Sequence, residues 1–186
     1  MPSTSKTLFL TFDDGPIPEV TPWVLKTLKD YNASATFFCV GANAKKNNEI
    51  LKDILAAGHS IGNHTMNHIN GWNSPNKKYY SDVSDCSKIV KSKLFRPPYG
   101  RIKFLQTLHL RKQYKIIMWD VLSRDYDTSL TGETCFENVK QSAGRGSIVV
   151  FHDSLKAESR LRIALPATLK YFSDAGYNFA SIDFCV

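Results

Sequence analysis

The stretch "TLFLTFDDGP", Thr7 to Pro16, carries an apolar run rich in β-branched and aromatic residues into two adjacent aspartates, then turns the chain at Gly15 and Pro16. A short apolar run closed by turn residues reads as a strand buried on both faces. Its end poses an electrostatic problem. Asp13 and Asp14 would repel each other in a dry pocket, because like charges a few ångströms apart cannot both ionise cheaply. The rest of the chain must supply a cation, a basic side chain, or both.

Similar runs recur along the sequence: "ATFFCV" (35 to 40), "HSIGNH" (59 to 64), "YKIIMW" (114 to 119), "SIVVFH" (147 to 152) and "YNFASI" (177 to 182). Helical patterns lie between them. "TPWVLKTLKDYN" opens with Thr21 as the expected N-cap and Pro22 at the first helical position. "EILKDILAAG" stops at Gly58 and "LPATLKYFSDAG" at Gly176, where a C-cap glycine is expected. Strand and helix in alternation imply right-handed crossovers and a parallel sheet, open or closed into a barrel. In either case the active site gathers at the C-terminal strand ends. That rule brings Asp13 and Asp14 together with His64, with Trp119 and Asp120, and with His152 and Asp153.

At 186 residues and 42% hydrophobic, the chain suits one domain, residues 1–186, with a substantial core. A net charge of +7 favours polyanions. The basic residues nevertheless fall mostly in scattered pairs (Lys45-Lys46, Lys77-Lys78, Arg111-Lys112), without the basic and aromatic stripe of a nucleic-acid reader, so no nucleic-acid partner is expected. No window is apolar enough to cross a bilayer, and "MPSTSKTLFLTFDD" lacks the pattern of a signal peptide. Both a cytoplasmic location and export with a trimmed leader fit. The four cysteines form no CxxC pair and read as free thiols, although Cys39 and Cys185 lie in apolar stretches that could approach each other.

"GNHTMNH" sets His64 and His68 four apart, so a helix starting after the strand would stack both imidazoles on one face, an arrangement that grips a divalent metal. Two histidines and one carboxylate leave positions open for water and substrate, and Asp14 is the natural third ligand. A metal there answers the opening problem in part, leaving Asp13 free as a base. The competing reading is a solvated or capped helix start. His59 reads as a hydrogen-bonded core residue and His109 as surface. "RPPYG", Arg96 to Gly100, is a rigid turn from which Arg96 can extend a donor fork toward a carboxylate, or else an ordinary Pro-Gly loop.

Taken in order, "TFDDGP", "HTMNH", "RPPYG" and "FHD" resemble the motifs of the polysaccharide deacetylases, the NodB-like carbohydrate esterases of family four, over about Lys6 to Ile182. The resemblance implies an α/β fold, a distorted (β/α) barrel of about seven mostly parallel strands. It also implies a divalent metal, usually zinc with cobalt or nickel as alternatives, held by Asp14, His64 and His68. Asp13 would be the general base, oriented and charge-balanced by Arg96. The backbone N–H of Tyr99 would stabilise the oxyanion, His152 would be the general acid, Asp125 its carboxylate partner, and Thr65 a brace for the histidine loop.

One departure stands out. Where the family's fourth motif often has two aspartates three apart followed by tryptophan, "WDVLSRDY" has Leu122, Asp125 and Tyr126. Tyr126 in place of the tryptophan would alter the wall of the acetyl pocket, Leu122 removes one acidic group, so that substrate preference is not carried over from the family, and Val150 would help to line the pocket. Asp153 and Ser154 are expected to cap the helix or loop that follows, Asp120 has no assigned role, and Trp23, Phe37 and Phe38 are expected in the core. The implied function is removal of N-acetyl groups from N-acetylglucosamine units of peptidoglycan or a chitin-like oligomer by a monomer. An O-acetyl esterase of the xylan type and a catalytically silent carbohydrate-binding barrel are the alternatives.

Overall fold

The structure, a computed structural model, describes residues 6–182. Its strands are β1 (Thr7–Asp13), β2 (Ala35–Cys39), β3 (Ser60–Asn63), β4 (Leu94–Phe95), β5 (Lys115–Ile116), β6 (Val121–Leu122), β7 (Ile148–His152) and β8 (Asn178–Phe179). The helices are α1 (Thr21–Asp30), α2 (Gly41–Lys46), α3 (Asn48–Ala56), α4 (Asn76–Ser87), α5 (Phe104–Leu110), α6 (Gly132–Ser142) and α7 (Glu158–Asp174). Strands pair in the order β5-β4-β3-β2-β1-β7-β6, with β8 added to β1, and every pairing is parallel. β5 and β6 stand at the two ends of that order, so the seven strands form a half-barrel, as the expected distorted barrel required.

Alternation along β1 sorts its side chains. Leu8, Leu10 and Phe12 pack into the main core with Val24 and Leu28 of α1 and Leu161, Leu165 and Leu169 of α7. Burying each such side chain stabilises the fold by roughly 1.5–3 kcal/mol. Phe12 stacks against Phe37 and Phe151, with ring centroids 5.0 and 6.0 Å away. Phe9 belongs to the opposite face, with Phe38, Leu94 and Ile117. Two and four residues on, Thr11 and Asp13 share that face. In register, Thr11 stands beside Val150, and Asp13 beside Phe38 and His152. Phe37 and Phe38 are buried as expected, and Trp23 packs on the edge of the main core.

Several local expectations are corrected. Thr21 is the first residue of α1 rather than its N-cap, and Pro22 the second. Its hydroxyl instead accepts from the Ile17 amide (2.8 Å) and donates to Asp153 (2.6 Å). The run 114–119 contributes only Lys115 and Ile116 to the sheet, because the carbonyls of Ile117 and Met118 turn to the Arg96 guanidinium. In the run 177–182 only Asn178 and Phe179 pair. α3 does end before Gly58, whose φ of +80° suits glycine. His59 is buried, with Nδ1 accepting from the Ala35 amide, and His109 is exposed, stacked on Tyr80.

Cys39, Cys86 and Cys135 are buried free thiols, while Cys185, the suggested partner of Cys39, lies outside the described residues. No helix among the described residues is long and apolar enough to cross a membrane.

Candidate active site and metal centre

The aspartate turn is built from a distance. Asp14 holds a left-handed φ of 87°, and its carbonyl accepts from the Asn43 side chain (2.8 Å). The Gly15 amide donates to Asp153 Oδ1 (3.0 Å), and a Cβ on Gly15 would stand 2.0 Å from Asp153 Oδ2. Asp153 therefore ties β1 to β7 and α1 rather than capping a helix, and α7 begins without a side-chain cap. Burial pushes the Asp153 carboxyl up to about 8, against the bonds from Thr21 and Gly15 that favour its charged form.

The two histidines come from a loop, not from a helix. Thr65 and His68 take φ values of 64° and 53°, and this reversal, rather than helical periodicity, brings the imidazoles together with ring centroids 5.1 Å apart. Such conformations cost on the order of 1–3 kcal/mol each and must be held by their surroundings. Here Asn63 Oδ1 accepts from the Thr65 amide and Thr65 Oγ1 from the Ile69 amide. Asp82 of α4 takes the Met66 and Asn67 amides at 2.7 and 2.9 Å. Asp82 was not singled out from sequence. A signal was available, since it is a carboxylate on a helix face whose neighbours Tyr79, Val83 and Cys86 are buried.

Asp14, His64 and His68 converge so that one ligand atom from each lies within 4.8 Å of the others. Asp14 Oδ1 is 3.1 Å from His68 Nε2 and 3.8 Å from His64 Nε2. His64 Nδ1 lies 2.8 Å from the Arg96 carbonyl, which can only accept, so Nδ1 carries the hydrogen and Nε2 presents its lone pair inward. Burial holds the His64 pKa below its usual value against the pull of Asp13 and Asp14. For Asp14, burial alone would raise the pKa. The hydrogen bond from His68 and the nearby histidine charges outweigh it and hold the carboxyl at about 2. An ionised carboxylate beside two inward imidazole nitrogens suits a divalent cation.

Arg96 answers the other half of the electrostatic problem. It is fully buried, with Nη1 donating to Asp13 Oδ1 (2.8 Å) and Thr11 Oγ1 (2.7 Å). Nε and Nη2 donate to the carbonyls of Ile117 and Met118, and the guanidinium lies 4.1 Å over the Phe38 ring. Asp13 Oδ1 is thus taken, leaving Oδ2 on the side of His64, 3.9 Å from its Nε2.

Across the cleft, Asp125 Oδ1 meets His152 Nδ1 at 2.7 Å, and its Oδ2 accepts the His152 amide at 2.8 Å. Burial disfavours the imidazolium, yet the charge and hydrogen bond of Asp125, followed by the charges of Asp13 and Asp14, raise the pKa to about 9. Arg160, a buried residue not foreseen from sequence, donates to the carbonyls of Asp125 and Lys156 and fixes this loop. Tyr126 stands edge-on to His152 (5.2 Å), and Tyr99, with φ 60°, stands 4.6 Å from the His68 ring. Leu122, Val150, Trp119 and Ser154 line the same cleft of about 630 Å³. Asp120 lies outside it, exposed, with Oδ2 accepting the Ile148 amide.

Residues 1–116 match the polysaccharide deacetylase family. This chain belongs to that family. It is 35% identical over 98% of its length to a peptidoglycan-N-acetylglucosamine deacetylase of Bacillus cereus, spanning 89% of that protein. It is 33% identical over 97% of its length to the peptidoglycan-N-acetylglucosamine deacetylase PgdA of Listeria monocytogenes, of which it spans only 39%. The solved structure of the Bc1960 peptidoglycan N-acetylglucosamine deacetylase, held with a hydroxamate-type benzamide, superposes with a TM-score of 0.92 at 31% identity, covering 97% of this chain and 88% of that one. Family membership and the Asp14, His64, His68 donor set together support a divalent metal.

Proposed function

We propose that this protein hydrolyses the N-acetyl group of N-acetylglucosamine units in a polysaccharide such as peptidoglycan or a chitin-like oligomer, as a monomer with one catalytic domain. The observation that carries this reading is the division of one cleft into an Asp13–Arg96 pair beside the Asp14, His64, His68 set and an Asp125–His152 pair opposite. Asp14, His64 and His68 would hold a divalent ion, zinc in this reading, whose chemistry would be Lewis-acid polarisation of the acetyl carbonyl and easier ionisation of water.

The chain's own groups do the rest. Asp13 accepts the proton of the attacking water at Oδ2, because Oδ1 is engaged by Arg96, which also supplies the counter-charge. The Tyr99 amide donates to the developing oxyanion. His152 gives its Nε2 proton to the departing amine, since Nδ1 is turned to Asp125. A protonated donor matters because an amine anion is a very poor leaving group. Leu122 and Val150 form the apolar seat for the acetyl methyl.

Acetate release from a chitin oligomer and from acetylated xylan tests the reading. We expect release from the chitin oligomer. Release from xylan alone would make the protein an O-acetyl esterase, and none from either with metal bound would make it a binding barrel.

A further inference from the structure

The two histidines of the site are held in different ways. His64 continues the line of β3: its amide donates to the Cys39 carbonyl (3.0 Å), its ring is fixed by the Arg96 carbonyl, and it is 2% exposed. His68 lies in no strand or helix, and its side chain is 28% exposed. Its place depends on residues 65–67, which carry the chain from one imidazole to the other. The carbonyls of Thr65 and Met66 accept from the Gly41 and Ala42 amides at the start of α2, both at 2.9 Å. The amides of Met66 and Asn67 turn the other way, to Asp82 of α4.

Asp82 is buried, and among the described residues every hydrogen bond of its side chain goes to this loop. Oδ1 accepts the two backbone amides, and Oδ2 accepts the Asn67 side-chain amide at 2.6 Å. No Lys, Arg or His among the described residues forms an ion pair with it. A buried carboxylate must be met by opposite charge or by donors, so the loop and the carboxylate hold each other. The same turn of α4 fixes the start of the loop: the Asn63 side chain accepts from the Thr65 amide and donates to the Val83 carbonyl (2.9 Å). With positive φ at Thr65 and His68, the loop keeps its shape only because these bonds determine it.

We infer that Asp82 is a positioning residue for the metal site, setting its affinity for a divalent ion by holding His68 in place before the ion arrives. The inference rests on the reading of Asp14, His64 and His68 as the metal ligands. Asp82 acts at a remove, through the backbone of Met66 and Asn67, two residues and one residue before His68. A ligand already in place loses less freedom on binding than one that must be gathered, and groups outside the ligand set that orient it govern affinity. His64, fixed by β3 and Arg96, does not depend on Asp82 in this way.

The test measures the dissociation constant for zinc by competition with a chromophoric chelator, together with the melting temperature of the metal-free protein. The proteins compared are the unaltered chain, Asp82→Ala, Asn67→Ala, those two combined, and Val83→Ala. Asp82→Ala is expected to weaken zinc binding about ten- to hundred-fold, the usual effect of losing such a partner. Asn67 is exposed, so Asn67→Ala leaves the core intact even where Asp82→Ala fails to fold, and it is expected to weaken zinc by a smaller factor. The combined variant is expected to lose no more than Asp82→Ala alone, because both changes break one linkage. Val83 is buried next to Asp82 in α4, and Val83→Ala opens a cavity without removing a loop bond, so its melt falls while its zinc affinity stays. Zinc affinity in Asp82→Ala and Asn67→Ala equal to that of the unaltered protein would overturn the inference and leave the metal reading standing. So would an equal loss of affinity in Val83→Ala, which would assign the effect to helix packing. An unaltered chain that binds no zinc would overturn the reading itself.

Discussion

Asp13→Asn is expected to lower kcat by about two to four orders of magnitude, the usual contribution of a positioned general base, with metal stoichiometry unchanged. Asparagine fits the space and can still accept from Arg96, but it cannot take a proton from water. The substitution also has a structural consequence. Arg96 is fully buried and Asp13 is the carboxylate its guanidinium meets. Breaking such a pair leaves an uncompensated buried charge at roughly 3–5 kcal/mol. Asp13→Ala, which removes the acceptor as well, should therefore melt on the order of 10 °C lower than the unaltered protein. Steady-state kinetics, elemental analysis and thermal melts separate the two effects. Near-normal turnover in Asp13→Asn would remove Asp13 from the chemistry, and an unshifted melt in Asp13→Ala would mean that another group balances Arg96.

Asp125→Asn should lower kcat by about two orders of magnitude or more at neutral pH and shift the alkaline limb of the pH profile downward. His152 is raised from 6.5 to about 9, with Asp125 the largest of the influences that favour its charged form. A group raised in this way keeps its proton across the neutral range, so the acid is lost only as pH climbs through about 9. Its contribution to folding follows the same sign: fully present below pH 6.5 and lost as pH rises through about 9. Without the carboxylate, burial dominates and the imidazole discharges at lower pH. Turnover of the variant should recover partly on acidification, a response that a packing defect would not give. A pH profile identical to that of the unaltered protein would exclude Asp125 as the partner that keeps His152 charged.

Much of this arrangement is legible in the sequence. The continuous apolar runs ending at Asp13 and His152 marked central parallel strands, and the strand-end rule then gathered residues 140 positions apart. β4 and β6 escaped notice because two paired residues carry no periodicity. The histidine pair was anticipated through helical spacing, yet the loop reaches the same convergence by positive φ at Thr65 and His68, a conformation that leaves no mark in a sequence of ordinary residues. From sequence Asp153 reads as a local cap, because a sequence offers only neighbouring residues as partners. Its true partners, Gly15 and Thr21, lie 138 and 132 residues away. Asp82 and Arg160 share that history, since buried polar residues declare their purpose only when the fold supplies what they bond.

The central claim is that Asp14, His64 and His68 hold a metal on which glycan deacetylation depends. The most direct measurement is acetate release from a chitin oligomer by protein stripped of metal and then titrated with zinc. The account predicts no release from the stripped protein and full recovery at one zinc per chain. Undiminished release by protein shown by elemental analysis to be metal-free would contradict it.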